Sequence, residues 1–128
     1  MPLFKKLDNL LLPVPSLEQG LDFYSRKLGH ELVWRTKTAA GLKLPDTNAE
    51  LVIHAEFVQS ETDILVENVG DAIKEFVAAG GSIVTEPFDI QIGRCVVVKD
   101  PFGNVLVLLD SSKGKLKTDK AGNVIGNA

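Results

Sequence analysis

The sequence contains a single cysteine, Cys95, among 128 residues, which excludes an intramolecular disulfide and a metal site built from several thiolates. No apolar run approaches the roughly 20 residues that a membrane-spanning helix needs. An excess of positive charge is also lacking, because the net charge at pH 7 is −3, and this argues against a general nucleic-acid binder. The composition is that of an ordinary globular protein in a reducing compartment.

The N-terminal residues only partly match a secretory signal. Lys5 and Lys6 precede three leucines, but Asp8 interrupts the segment and Pro13 ends the apolar run. A signal peptide needs a longer apolar stretch followed by a cleavage site of small residues. We therefore expect a cytoplasmic protein without a membrane segment.

An internal repeat is the most informative feature of the chain. Two stretches match without a gap at an offset of 52 residues, so that V-P-S-L at 14–17 meets V-E-N-V at 66–69. Later matches include Gly29 with Gly81 and Leu32 with Val84. Repeats of this kind indicate paired structural modules, each too small to bury its own apolar face. The chain is long enough for one domain, which we place at residues 1–112.

Each repeat predicts a β-strand, a capped helix, a glycine stop and three further strands. Ser16 and Asn68 are N-cap residues, Gly29 supplies the left-handed conformation that ends the first helix, and Gly80-Gly81 stops the second. The predicted fold class is α+β with two βαβββ modules, at about 7–57 and 60–110. A Lys-rich tail follows at 113–128, where apolar residues flank Asp119-Lys120-Ala121-Gly122 and suggest a hairpin.

Three segments carry a family resemblance: the strand ending V-P-S-L, the helix LEQGLDFYSRKLG and the closing VVVKDPFGNVLVLLD. In this order they resemble the glyoxalase, bleomycin-resistance and extradiol-dioxygenase superfamily, also called vicinal oxygen chelate proteins, over about residues 7–110. The resemblance implies a curved, open half-barrel sheet around a concave pocket. The alternative is another α+β protein with two ferredoxin-like halves.

The resemblance also implies where a divalent metal would bind. The corresponding positions are Asn9 and Glu61 on the first strand of each module, and Val52 and Val107 on the last. Valine cannot donate a lone pair, so we expect no cofactor, although a divalent metal is not excluded. A slip of the fourth strand by two residues would bring Glu50 or His54 to the position of Val52.

Two residues are candidates for catalysis. His54 shares a strand face with Glu50 and Val52, because strand side chains alternate, and its pKa range suits proton transfer. The resemblance implies that the Glu61 carboxylate lies in the pocket, where burial would make it a candidate general base. For each residue the alternative is a solvated or hydrogen-bonded side chain at a strand end.

Further residues are predicted to contact a ligand. Trp34 offers a flat surface for stacking, or simply buried apolar area. Arg94 offers a planar fork for a carboxylate or phosphate, or an ordinary surface charge. The complete predicted substrate-binding set is Asn9, Leu11, Trp34, Glu50, Val52, Arg94 and Val107.

These residues suggest a metal-free binder of a small hydrophobic or aromatic molecule. The alternative is a lyase, isomerase or dioxygenase-type enzyme that uses Glu61 or His54, with or without a divalent metal. A weaker third hypothesis is an assembly protein that docks through its Lys-rich tail. The expected partners are a small-molecule ligand and a second copy in a homodimer, with no nucleic acid and no membrane.

Overall fold

The first helix follows one strand and precedes three others, whereas the second helix follows one strand and precedes four before the C-terminal hairpin. The computed structural model describes residues 2–56 and 59–128, so Phe57, the end of the predicted first module, lies outside the described residues. In chain order the elements are β1 (Lys6–Pro13), α1 (Leu17–Gly20, continued as a π-helix over Leu21–Lys27), β2 (Leu32–Arg35), β3 (Ala39–Lys43), β4 (Glu50–His54), β5 (Glu61–Leu65), α2 (Val69–Ala78), β6 (Ser82–Ile83), β7 (Phe88–Ile90), β8 (Gly93–Lys99), β9 (Val105–Leu109), β10 (Leu116–Thr118) and β11 (Val124–Asn127). The fold class is mixed α+β, as predicted.

The chain forms two compact units. The first unit comprises Asp8–Glu61 and Lys117–Gly126. The second unit comprises the N-terminal residues up to Leu7, Thr62–Leu116 and Asn127–Ala128. None of the described helices is long and apolar enough to cross a membrane.

The sheet of the first unit has the strand order β2-β3-β4-β1. β1 and β4 are parallel, and the other two pairs are antiparallel. Leu51 and Ile53 project from one face of β4 and pack with Leu17 and Leu21 of α1 in a hydrophobic core. Because strand side chains alternate, Glu50, Val52 and His54 project from the opposite face.

In the second unit, β5 and β9 are parallel and β8 is antiparallel to β9. One face carries Val96, Val98 and Leu108, which pack with Val69 and Ala72 of α2. The other face carries a second apolar cluster, whose buried members are Cys95, Val107 and Leu109. The sheet of this unit is therefore apolar on both faces.

The predicted caps and stops of both helices are confirmed. Ser16 accepts a hydrogen bond from the Gln19 amide at 3.2 Å, and Asn68 accepts one from the Asp71 amide at 2.9 Å. Gly29, after the first helix, has a φ angle of 84°.

The interior of the first helix differs from its prediction. An α-helical spacing predicts that Leu28 lies on the buried stripe with Leu21, but Leu28 is 54% exposed whereas Leu21 is 4% exposed. From Leu21 onward the helix has π geometry, and the Leu28 amide donates to the Phe23 carbonyl five residues back. The wider turn contains more residues, so Leu28 no longer returns to the face of Leu21.

The edge of the second unit also differs from its prediction. The sequence predicts one strand over 82–85, but β6 ends at Ile83 and a further short strand, β7, pairs with the start of β8. Pro87 separates the two segments, and proline has no amide hydrogen for a ladder bond. Val77, predicted to lie on the buried stripe of α2, is 46% exposed, so that stripe is narrower than predicted.

Two hairpins of the chain close with the same five-residue turn, D-x-x-G-N. In Asp100–Asn104, between β8 and β9, the Asp100 carboxylate accepts hydrogen bonds from the amides of Phe102 at 2.8 Å and Asn104 at 2.9 Å. The glycine at the fourth position, Gly103, has a φ angle of 92°, which glycine adopts without strain. The same turn recurs over 119–123 between β10 and β11, so the tail forms a hairpin.

Candidate binding site

The candidate site lies on the sheet face of the first unit that is opposite to α1. Residues paired across strands project from the same face, so the register sorts this face into three rows. The polar row is Asn9, Glu50 and Lys43; the central row is Leu11, Val52, Gly41 and Trp34; the histidine row is Pro13, His54 and Ala39. Neighbouring rows are two residues apart along each strand, and each residue advances the strand by about 3.3 Å, so the rows are about 7 Å apart.

Trp34 lies flat over Gly41 and is held by a hydrogen bond. Its indole Nε1 donates to Glu50 Oε1 at 2.8 Å, which links the central row to the polar row. A Cβ atom on Gly41 would be only 2.0 Å from that nitrogen, so no larger residue fits beneath the indole. The orientation of Trp34 is therefore fixed by one hydrogen bond and one glycine.

Polar side chains on this face are buried, which is unusual for their type. Asn9 is 7% exposed and His54 is 3% exposed. Asn9 Nδ2 donates to the Asp8 carboxylate at 2.9 Å. Buried polar groups are costly unless they are hydrogen-bonded, which makes these two side chains candidates for a function beyond core packing. Glu50, Trp34 and Leu11 are half-buried and form the accessible part of the face.

The structure thus brings together six of the predicted site residues: Asn9, Leu11, Trp34, Glu50, Val52 and His54. These six residues come from three strands, β1, β2 and β4. The register pairs Leu11 with Val52.

The other three predicted residues are placed differently. Val107 is buried on β9, where it pairs with Asp63 and Val97. Arg94 is exposed and, by strand alternation, lies on the face of β8 that carries Val96, so it does not share a face with Val107. Glu61 is the first residue of β5 and is half-buried.

Asp63 was not identified from the sequence as a site residue. It is 6% exposed and projects from the same face of the second unit as Val107. The signal was present, because Asp63 is two residues after Glu61 in a strand and must share its face. Gly41 was missed for another reason: its role depends on the indole that lies above it.

Two of the four positions at which the resemblance implies metal ligands, Val52 and Val107, do not match the chemistry of a divalent ion. Val52 and Val107 are 4% and 5% exposed and apolar, whereas such ions require oxygen, nitrogen or sulfur donors. Within residues 2–56 and 59–128, no three His, Cys, Asp or Glu side chains lie where they could hold a metal. Two of the four positions at which the resemblance implies a ligand therefore carry side chains that cannot bind a metal.

A separate surface cleft of about 450 Å³ lies at the N-terminal end of α2. Its lining includes Lys5, Glu67, Asp71 and Glu75, all of which are exposed. Exposed charges are well solvated and need no ligand. The sheet face of the first unit is the stronger candidate, because there the polar side chains are withdrawn from water.

Comparison with known proteins finds solved structures with a similar fold. Solved structures with a similar fold include methylmalonyl-CoA epimerase from Mycobacterium tuberculosis, which is 17% identical with a TM-score of 0.73, the match covering 86% of this chain and 90% of that one. The NAD-dependent benzaldehyde dehydrogenase structure from Legionella pneumophila is 19% identical with a TM-score of 0.66, over 81% and 98% of the two chains. At these identities the likeness shows the fold alone.

Homoprotocatechuate 2,3-dioxygenase from Brevibacterium fuscum is 20% identical with a TM-score of 0.66, and 86% of this chain matches 37% of that larger protein. No curated protein matches the chain. The family model of the Glyoxalase/Bleomycin resistance protein/Dioxygenase superfamily matches residues 6–108. The chain therefore belongs to the glyoxalase/bleomycin resistance protein/dioxygenase superfamily.

Proposed function

We propose that the three-row face of the first unit binds a small, mostly apolar molecule with an aromatic ring, and that it does so without a metal ion. The observation that carries the proposal is the central row, in which Leu11, Val52 and the indole over Gly41 form an apolar strip between two polar rows. Ligand sites in proteins are mostly apolar, with a few polar groups that fix orientation.

The dimensions of the face suggest the shape of the ligand. Leu11, Trp34 and Glu50 are the half-buried residues of this face, whereas Val52 and His54 are 4% and 3% exposed, so a ring system reaches the face beside Trp34 and Leu11. The polar row lies about 7 Å from the central row, and Glu50 supplies a hydrogen-bonding group there. We therefore expect a flat molecule with a polar substituent at one end.

The proposal is tested by direct binding. Trp34 is the only tryptophan, so quenching or a shift of its emission reports occupancy of this face without any label. The purified protein is titrated with a panel of aromatic acids, phenols and uncharged aromatic amides, and native mass spectrometry reveals any molecule that co-purifies. Saturable binding that leaves Trp34 emission unchanged would place the ligand elsewhere and contradict the proposal.

Removing the charge of Glu50 is expected to weaken binding. In Glu50→Gln the amide oxygen still accepts the Trp34 Nε1 hydrogen, so the indole stays in place while the carboxylate is lost. We expect an affinity about threefold to tenfold lower for ligands that donate a hydrogen bond to this carboxylate, measured by calorimetry. Glu56→Gln, an exposed position beyond β4, is the matched control and is expected to bind like the wild type.

Metal independence is tested by elemental analysis of the purified protein together with ligand titrations in the presence of a chelator. The chemistry of Val52 and Val107 supports an unchanged ligand affinity after chelation. A stoichiometric transition metal whose removal abolishes binding would overturn this part of the proposal.

A proton-transfer enzyme is the second candidate, and the burial of His54 favours it. An imidazole withdrawn from water beside a bound carbonyl compound can remove a proton from the adjacent carbon. Glu61 is a less well-placed base, because it is half-buried at a strand end. Incubation of a bound carbonyl ligand in D₂O separates the two candidates: exchange at carbon that His54→Gln abolishes indicates an enzyme, and no exchange indicates a binding protein.

The homodimer, the cytoplasmic location and the pocket-forming curvature of the sheet stay predictions. Sedimentation equilibrium over a range of protein concentrations measures the first of these directly.

A further inference from the structure

The tip of the C-terminal hairpin contacts the strand that carries Trp34. The Arg35 amide on β2 donates to the Gly122 carbonyl at 2.7 Å, and Arg35 forms a parallel bridge with Asn123. A Cβ atom on Gly122 would be 3.2 Å from the Leu32 side chain and 3.9 Å from the Val33 carbonyl oxygen. The tip therefore contacts residues on both sides of Trp34 in the sequence.

β2 depends on such a contact more than the other strands of the first unit. It has only four residues and lies at the end of the strand order β2-β3-β4-β1. Its register with β3 shifts between Leu32 and Trp34, and such a bulge leaves a residue out of the ladder. Next to Trp34, β2 therefore pairs irregularly with β3 along one edge, and the hairpin tip pairs with β2 along the other edge.

The tip is itself well ordered by hydrogen bonds. The Asp119 carboxylate accepts from the amides of Ala121 and Asn123, each at 2.9 Å, and from the Asn123 side chain at 3.2 Å. Gly122 has a φ angle of 86° and donates its amide hydrogen to the Asp119 carbonyl. These bonds fix the direction of the Gly122 carbonyl, which is the acceptor for Arg35.

We infer that the hairpin tip, residues 119–123, is a positioning element of the ligand site: it holds β2 so that Trp34 lies over Gly41. The inference rests on the proposed binding function of that face, which it extends to the C-terminal tail. Tip residues act through β2 and do not themselves contact the ligand. Loss of the tip therefore changes the mobility of Trp34 even when no ligand is present.

The chain contains its own matched control, because Asp100 and Asp119 occupy the same position in two copies of the D-x-x-G-N turn. Asp119→Ala removes the bonds that order the tip beside β2, and Asp100→Ala removes the equivalent bonds between β8 and β9. Two readouts are compared: acrylamide quenching of Trp34 emission without ligand, and ligand affinity by calorimetry.

Asp119→Ala is expected to increase acrylamide quenching and to weaken ligand binding by about tenfold, equivalent to about 1.4 kcal/mol, while Asp100→Ala leaves both at wild-type values. Equal effects of the two substitutions, or no effect of Asp119→Ala on quenching, would overturn the inference. If wild-type protein binds no ligand, the proposed function fails, but the quenching comparison still decides the inference. Asn123→Ala and Asn104→Ala are the corresponding milder pair should Asp119→Ala not fold.

Discussion

Replacing Asp110 with alanine is expected to lower the free energy of unfolding by about 3–5 kcal/mol, because one buried and three partly buried hydrogen-bond donors would lose their acceptor together. Asp110 is only 1% exposed. Its Oδ2 accepts from the Val69 amide at 2.9 Å, and its Oδ1 accepts from the Arg94 amide at 2.9 Å. Ser112 donates its amide at 3.2 Å and its hydroxyl at 2.8 Å. Urea unfolding followed by circular dichroism measures the loss.

The size of this effect follows from what Asp110 connects. Val69 is the first residue of α2, Arg94 lies near the start of β8, and Ser112 follows the end of β9. One carboxylate therefore satisfies an orphan amide of a helix terminus and amides from two other segments. A Cβ atom on Gly93 would lie 2.2 Å from the Asp110 carboxylate, so Gly93→Ala is expected to disturb the same junction without removing the charge.

The same carboxylate makes stability depend on pH in acid. Burial alone raises the pKa of Asp110. The hydrogen bonds from Val69, Arg94 and Ser112 lower the pKa by more than burial raises it, so it lies below the usual value of 3.8. A group whose pKa is lower in the folded state contributes stability above its unfolded pKa and loses that contribution as the pH falls. We expect wild-type stability to decline below about pH 4, and this part of the decline to be absent in Asp110→Asn.

Asp46→Asn, at an exposed turn position, is the control for the general effect of removing a negative charge. It is expected to leave both the stability at pH 7 and the acid decline close to wild type. An Asp110→Ala protein within about 1 kcal/mol of wild type would show that water replaces the lost acceptor, and would contradict the assignment of Asp110 as the junction of these segments.

Replacing Gly41 with valine is expected to abolish ligand binding, with an affinity loss of more than about a hundredfold, and to cost about 1–3 kcal/mol of stability through overpacking. The Cβ atom alone would be 2.0 Å from Trp34 Nε1 and 2.5 Å from Cε2. The indole must then leave its place over the central row, and its hydrogen bond to Glu50 breaks. A changed Trp34 emission maximum and the absence of heat in calorimetry are the measurements.

A double-mutant cycle separates this mechanism from a general backbone effect. If the indole is the obstacle, Gly41→Ala destabilises the wild type more than it destabilises a Trp34→Ala protein, because the clash is absent from the second background. Gly70→Ala, on α2, is the control for adding a methyl group to a glycine, since its Cβ would meet only Asn68 Oδ1 at 3.2 Å. Equal costs of Gly41→Ala in both backgrounds would refute the proposed packing of Trp34 on Gly41.

Local signals in the sequence were sufficient for most elements of the fold. Ser16 and Asn68 cap their helices, and Gly29 and Gly80 follow the helix ends with positive φ angles, because these roles depend on neighbours within five residues. The π geometry of residues 21–27 and the split of the predicted strand at 82–85 were missed. The packing of the helix against the sheet is not contained in the local pattern, whereas Pro87, which separates β6 from β7, was a local signal that was overlooked.

The candidate site was recovered only in part, and the reason is the register of the strands. Strand alternation correctly places Glu50, Val52 and His54 on one face, since that rule needs only one strand. Asp63 was overlooked despite the same rule, and Arg94 was assigned to a ligand although its strand face is the one that packs α2. The face on which Arg94 lies could not be predicted, because a sequence pattern does not specify which of two apolar faces meets the helix.

The sequence by itself determined the fold class, the caps, the turns and the family, all of which rest on short-range chemistry or on matching along the chain. Only the tertiary structure decided that Trp34 lies over Gly41 and bonds to Glu50, that Asp110 joins two distant segments to its own, and that the tail tip pairs beside Trp34. These contacts bring together residues that are 7 to 88 positions apart in the sequence. Their geometry is set by the strand register and by the packing of the folded chain, and no local pattern encodes either.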